Sequence, residues 1–241
     1  MTDEELLKRI PRAGPSNVDA LCSELVERSL EASVPALKAL WRRFAGFGIE
    51  KPLREQLAVV DTLARLKGTA ANSALRRIAA SRTLPASLAP AVLRASVLAG
   101  LVLPAHFVGS FLDNEDDSVR EAAFALAARC NVAAERLRAG LNDRSPKNRR
   151  LAAIALGLSG DVAARQPLYQ ELARLPSAEI IEAIIEVCDD DAIVHLGRCA
   201  RSHPRFTRPI LNALREIGSP RAQAVARNLE SDTDGLMSSS E

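Results

Sequence analysis

Residues 111–130 read FLDNEDDSVREAAFALAARC, and residues 140–159 read GLNDRSPKNRRLAAIALGLS. Each stretch opens with an acidic turn and runs into a helix-forming segment carrying an arginine and then paired alanines. Aligning Asp113 with Asp143, an offset of 30, brings Arg120 onto Arg150. The same offset sets Ala122 and Ala123 on Ala152 and Ala153, and Ala125-Leu126 on Ala155-Leu156. A second echo pairs Ala155 with Ala213 and Gly160 with Gly218, an offset of 58, close to two such periods. Recurrence at a fixed period of this length is the mark of stacked two-helix units, none of which buries its apolar face alone. Alanines let neighbouring helices approach closely, and Leu126 and Leu156 fill the space between layers. Asp113, Arg120, Asp143 and Arg150 form an expected ladder at the hairpin turns. There Asp accepts backbone N–H bonds and Arg bridges to the turn of the adjoining unit.

Working outward, helix-period patterns alternate with short breaks along the chain, and no alternating strand pattern appears. The expected helices are 3–10, 17–32, 34–46, 52–67, 70–81, 87–102, 104–112, 117–130, 132–141, 146–158, 162–174, 177–188, 190–202, 205–217 and 220–230. Gly14-Pro15, the glycines at 46 and 48, Pro176, Pro204 and Gly218-Ser219-Pro220 punctuate them. Ser145-Pro146 and Ser219-Pro220 each put a capping hydroxyl before a proline at the first helical position. Helices joined by turns this short make antiparallel hairpins.

The carrying residues are Leu112-Asp113, Val119-Arg120 and Ala122-Ala123, then Asp143, Arg149-Arg150, Ala152-Ala153 and Leu156-Gly157. In these the chain resembles the HEAT repeat family, in the short form called phycobilisome-lyase-type HEAT-like repeats. The opening GSPRAQAVARNLE from Gly218 is also similar to the first helix of such a repeat. The likeness is clearest over 104–160 and continues to 230. Over 1–103 the hairpin rhythm persists without the Asp and Arg signature. The resemblance implies an all-α, right-handed α–α superhelix of the HEAT/armadillo-like kind, with about seven hairpins in one domain over 1–231. A disordered tail is expected over 232–241. In that family the second helix of each pair lines the concave side, here 52–67, 87–102, 117–130, 146–158, 177–188 and 205–217.

The composition suits that fold. Of 241 residues 47% are hydrophobic but only 3% aromatic, so the core is built from Ala, Leu, Ile and Val. With 32 Lys and Arg against 30 Asp and Glu, the net charge of +2 exerts no global pull toward nucleic acid or anionic lipid. The N-terminus MTDEELLKRIPR has no apolar core of a secretory signal. The most apolar run, 84–108, is broken by Pro85, Pro90 and Pro104 and carries Arg94, which argues against a membrane span. Cys22, Cys130, Cys188 and Cys199 lie far apart in apolar runs with no CxxC pair, the usage of reduced, buried thiols in a cytoplasmic protein. Abundant Ala, Arg and Leu fit a bacterial genome of high GC content.

No phosphate-binding loop, GxSxG or HExxH occurs, and no cofactor is expected. His195, Cys199 and His203 share a helix face at four-residue steps, with Cys188 upstream. Zinc uses such ligands, but helical spacing alone produces the same row, and an ordinary helix face is the reading adopted. Asp189, Asp190 and Asp191 read as a helix N-terminus. Some HEAT-like proteins are DNA glycosylases that hold alkylated bases against aromatic surfaces. The only Trp and Tyr here, Trp41 and Tyr169, are far apart in sequence. Other relatives attach bilin chromophores, which nothing in the residues signals. A non-enzyme is expected.

Charge is unevenly spread. Residues 32–110 hold eleven Lys and Arg against three Asp and Glu, while 176–200 hold one against six. Solvated outer faces account for such runs. The functional reading is a protein-binding scaffold or adaptor whose groove has a basic and an acidic end. Its expected contacts are Arg42, Arg43, Lys51, Arg54, Arg94, Lys147, Arg149 and Arg150, with Glu179 and Glu182. The alternative is nucleic acid, with the same cations on phosphates; sparse aromatics and the acidic later half weigh against it.

Overall fold

The computed structural model describes residues 1–66, 68–81 and 84–238. It is all-helical, 73% helix with 15 α-helices and no strand among the described residues. No described helix is long and apolar enough to cross a membrane. The chain divides into two compact units, Met1–Cys130 and Asn131–Glu241.

The first unit contains α1 (Asp3–Arg9), α2 (Val18–Glu27), α3 (Val34–Arg43), α4 (Arg54–Leu66), α5 (Thr69–Ala79), α6 (Ala89–Leu98), α7 (Ala105–Gly109) and α8 (Asp117–Ala127). The second contains α9 (Ala134–Gly140), α10 (Pro146–Leu158), α11 (Arg165–Arg174), α12 (Ala178–Glu186), α13 (Asp190–Ser202), α14 (Thr207–Ile217) and α15 (Pro220–Ser238). Every expected helix is present, most of them shorter than expected. The ends are set by local chemistry. Thr2 and Glu5 form a reciprocal capping box on α1. The carboxylates of Asp116 and Asp189 and the hydroxyl of Ser177 accept the free N–H groups opening α8, α13 and α12. Pro146 opens α10 as expected, but the Ser145 hydroxyl does not cap it. The carboxylate of Asp143 instead accepts the Ser145 N–H at 2.8 Å. The tail expected over 232–241 continues α15 as far as Ser238, since no proline follows to stop it, and 239–241 lie outside the described residues.

Within each unit the helices stack in two rows. In the first, α2 packs on α4, α4 on α6 and α6 on α8, with α3 and α5 forming the other row. In the second, α10 packs on α12 and α12 on α14, while α11, α13 and α15 run alongside. Between the rows lie the fully buried Leu25, Leu37, Leu63, Leu75 and Leu93 in one unit and Leu156, Leu168, Ile184 and Leu196 in the other. Each such side chain contributes about 1.5–3 kcal/mol relative to exposure. Small residues bring the helices close: a Cβ on Gly157 would stand 2.9 Å from the Ala183 Cβ.

The structure corrects the repeat register by one residue. Asn114 Oδ1 accepts from the Asp116 N–H as Asp143 Oδ1 accepts from the Ser145 N–H. Arg120 donates to the carbonyls of Asn114 and Glu115, and Arg149 to those of Asp143 and Arg144. Asp116 and Ser145 are the two N-caps. These pairs are all offset by 29, so Arg120 corresponds to Arg149, and Asn114 rather than Asp113 corresponds to Asp143. The second echo, at 58, is then twice the period, and both its glycines hold positive φ, +77° at Gly160 and +67° at Gly218. At an offset of 30 the sequence matches Ala122, Ala123, Ala125 and Leu126 to Ala152, Ala153, Ala155 and Leu156, whereas at 29 only Ala123 of these meets an identical residue. Residue identity therefore favours 30 while the turn hydrogen bonds pair at 29.

Candidate docking groove

Helices α2, α4 and α6 leave one side open to solvent. Asp19, Ser23, Val26 and Glu27 of α2 face Ala58, Asp61, Thr62 and Arg65 of α4 across a cleft of about 330 Å³. Leu57, Val60 and Asp61 of α4 face Ala91, Arg94, Ala95 and Leu98 of α6 across another of about 270 Å³. The two clefts share Asp61, so they run together as a groove over three successive helices. On α4 the row Leu57, Asp61, Arg65 repeats every four residues, the helical spacing that keeps side chains on one face. Leu57 is 39% and Leu98 49% exposed, large aliphatic side chains that the rest of the chain covers only in part.

The groove is acidic at one end and aliphatic at the other. Asp61 pairs with Arg65 at 2.8 Å, and Asp19 pairs with Arg54. Asp19, Glu27 and Asp61 line the first cleft with Arg65 as its one cation. Its floor includes the Cys22 thiol, pushed up by burial and further by Asp19 and Asp61, against the hydrogen bond from Thr62. A thiol so held stays protonated at neutral pH and is a poor nucleophile. Burial likewise raises Cys130, Cys188 and Cys199.

The expected contact residues do not converge within either unit. Arg94 alone lines the groove. Arg54 reaches its edge through Asp19, and Lys51 is exposed in the turn before α4. Arg43 donates to the carbonyls of Ala13 at 2.9 Å and Pro11 at 3.2 Å and lies over the Phe44 ring, which fixes α3 to the first turns of the chain. Arg42 lies on α3 beside Trp41. In the second unit Lys147 is exposed in the first turn of α10, and Arg149 is folded onto its own turn. Arg150 reaches from α10 to α11, donating to Glu171 at 3.1 Å and the Leu175 carbonyl at 2.7 Å, with its side chain only 15% exposed. It ties α10 to α11, which leaves little of its side chain open to a partner. Glu179 and Glu182 are exposed on α12. Hydrogen bonds from its own N–H and from Ser177 hold the Glu179 carboxyl below its usual range, with Arg150 adding to them. Lys67 and Arg82, counted in the basic stretch, lie outside the described residues.

His195, Cys199 and His203 line a cleft of about 210 Å³ with Leu172, Ala173 and Arg198. The His195 ring stacks on Tyr169 with centroids 4.6 Å apart. Among the described residues no three His, Cys, Asp or Glu side chains group to hold a metal ion. Tyr169 is buried and donates to Asp189 at 2.7 Å, and burial with that bond keeps its phenol protonated. Burial works to raise the Asp189 carboxyl, yet the bonds from Tyr169 and the Ala192 N–H, with the Arg165 charge, hold it below the ordinary range. This network joins α11 to the start of α13. Trp41 lies in the first unit and Tyr169 in the second.

Sequence reasoning missed Leu57, Asp61 and Leu98. The signal was available: Leu57 shares a helix row with Asp61 and Arg65, where a large aliphatic side chain has no core to fill. Compared with known proteins, the chain matches no family model and no curated protein.

Proposed function

We propose that this chain is a non-enzymatic scaffold that binds a protein partner in the groove of α2, α4 and α6. The single observation behind this reading is that groove: two joined clefts, exposed Leu57 and Leu98, and a carboxylate-rich end. Exposed aliphatic side chains rimmed by charge mark a protein-binding surface. The complementary partner is an amphipathic helix with two aliphatic anchors and a basic end that meets Asp61 and Glu27. The stacking of every second helix supports a HEAT-like solenoid, a right-handed superhelix of about seven hairpins whose second helices face the partner. Such a scaffold works in the bacterial cytoplasm, where its four thiols stay reduced.

A nucleic-acid role has weaker support. Arg43, Arg149 and Arg150 donate to main-chain carbonyls, and Arg54 is paired with Asp19. Phosphate binding would require cations free to converge along one track.

The test is affinity purification from the native host with quantitative mass spectrometry, comparing the wild type with the double substitution Leu57→Glu and Leu98→Glu. Both positions are exposed, so the fold is kept. A partner enriched by the wild type and reduced at least about tenfold by the variant supports the reading, since two anchor residues each carry about 1–2 kcal/mol or more. Equal enrichment by both proteins, or turnover of a substrate by either, defeats it.

A further inference from the structure

A second cleft lies on the other side of α4. Val59 and Leu63 form its floor, and by helical spacing they sit opposite the row of Leu57, Asp61 and Arg65. One wall is α3, which presents Lys38, Trp41 and Arg42 at i, i+3 and i+4. The other is α5, which presents Ala74, Arg77 and Ile78 at the same spacing, with Ser81 just beyond its end. The three helices pack against one another, so the cleft is built on rigid elements.

Two properties set it apart. Its volume is about 160 Å³, the size of the apolar protein cavity that takes up a single benzene ring. Among the described residues its lining is apolar apart from three cations and one hydroxyl, with no carboxylate. Among the described residues Lys38, Arg42 and Arg77 make no ion pair, whereas Arg28, Arg43, Arg54, Arg65 and Arg120 of the same unit are bonded to carboxylates or carbonyls. Like charges gathered around a low-dielectric cleft raise the local positive potential, and an anion relieves it. An arginine fork also matches a carboxylate in two parallel hydrogen bonds.

We propose that this cleft binds a small organic carboxylate with one ring-sized apolar group. The ring fills the space over Val59 and Leu63 against Trp41, and the carboxylate meets Arg42 and Arg77, with Lys38 adding charge. The proposal does not rest on the docking groove, since the two surfaces use opposite faces of α4.

Trp41 is the only tryptophan, so its fluorescence reports on the cleft directly. The probes are phenylacetate, the uncharged isostere phenylacetamide, and inorganic phosphate as an anion without a ring. Phenylacetate should give a saturable change with an affinity at least about tenfold above both others, falling as salt is raised. The double substitution Arg42→Gln and Arg77→Gln should lower that affinity about tenfold while leaving phenylacetamide binding within about twofold. The phenylacetamide arm, with a thermal melt, shows that the variant is folded. Equal affinity for acid and amide overturns the proposal, as does the lack of a saturable signal with phenylacetate up to about 10 mM. A peptide ending in phenylalanine that binds more than about tenfold tighter than phenylacetate would make the ligand a chain end and overturn the small-molecule assignment.

Discussion

Replacing Gly157 with alanine tests the close stacking of α10 on its neighbours. Gly157 is buried in the middle of the second unit, in a helix, with no positive φ. Helix propensity alone predicts a gain of about 1 kcal/mol, because alanine loses less backbone entropy. Packing predicts the reverse. The added Cβ would stand 2.7 Å from Leu168 Cδ1, 2.9 Å from Ala183 Cβ and 3.0 Å from the Ala183 carbonyl oxygen. Ordinary carbon contacts lie near 3.5–4.0 Å. Leu168 is fully buried, and the other two neighbours move only if α12 moves. Overpacking of this kind costs about 1–3 kcal/mol, toward the upper end where backbone has to give. The net expectation is a loss of about 1–2 kcal/mol. At about 2–4 °C per kcal/mol for a chain of this length, Tm falls by about 2–8 °C. Circular dichroism melts and urea midpoints read it out. Gly197→Ala is the control: its Cβ meets only the tip of Val225 at 3.0 Å, so the propensity gain of up to about 1 kcal/mol is not overturned and Tm does not fall. A rise in Tm for Gly157→Ala would refute the reasoning, since propensity would then outweigh contact.

Arg150→Met should cost about 1–3 kcal/mol, because it strips the Leu175 carbonyl and leaves Glu171 to Arg174 alone, while Arg149→Met should cost less than about 1 kcal/mol. Urea unfolding of both variants checks the order, and a larger loss for Arg149→Met would contradict the assigned bridge. For Asp189, a folded-state pKa below the unfolded value of about 3.9 means stability present above that pH and lost as pH falls through the folded value. Asp189→Asn should therefore be less stable than wild type near neutrality, with the gap narrowing in acid melts below about pH 4. A gap that does not change with pH would remove the charge from the account.

The sequence by itself determined the helices. Every one was legible because helix formation is local: periodicity, proline and capping side chains act within a few residues, as at Thr2, Pro146 and Gly218. A likeness between two successive turns was legible as well, though the paired alanines set it one residue out of the hydrogen-bonded register. Tertiary structure decided the register, 29 rather than 30, because only hydrogen bonds to the turn carbonyls distinguish Arg149 from Arg150. It also decided which charges are available. The sequence shows a basic stretch, but whether an arginine meets a carbonyl, a carboxylate or solvent depends on helices that fold against it from elsewhere in the chain. Arg43 is thereby spent on Pro11 and Ala13, and Arg42, one residue away, is left beside Trp41 at an open cleft.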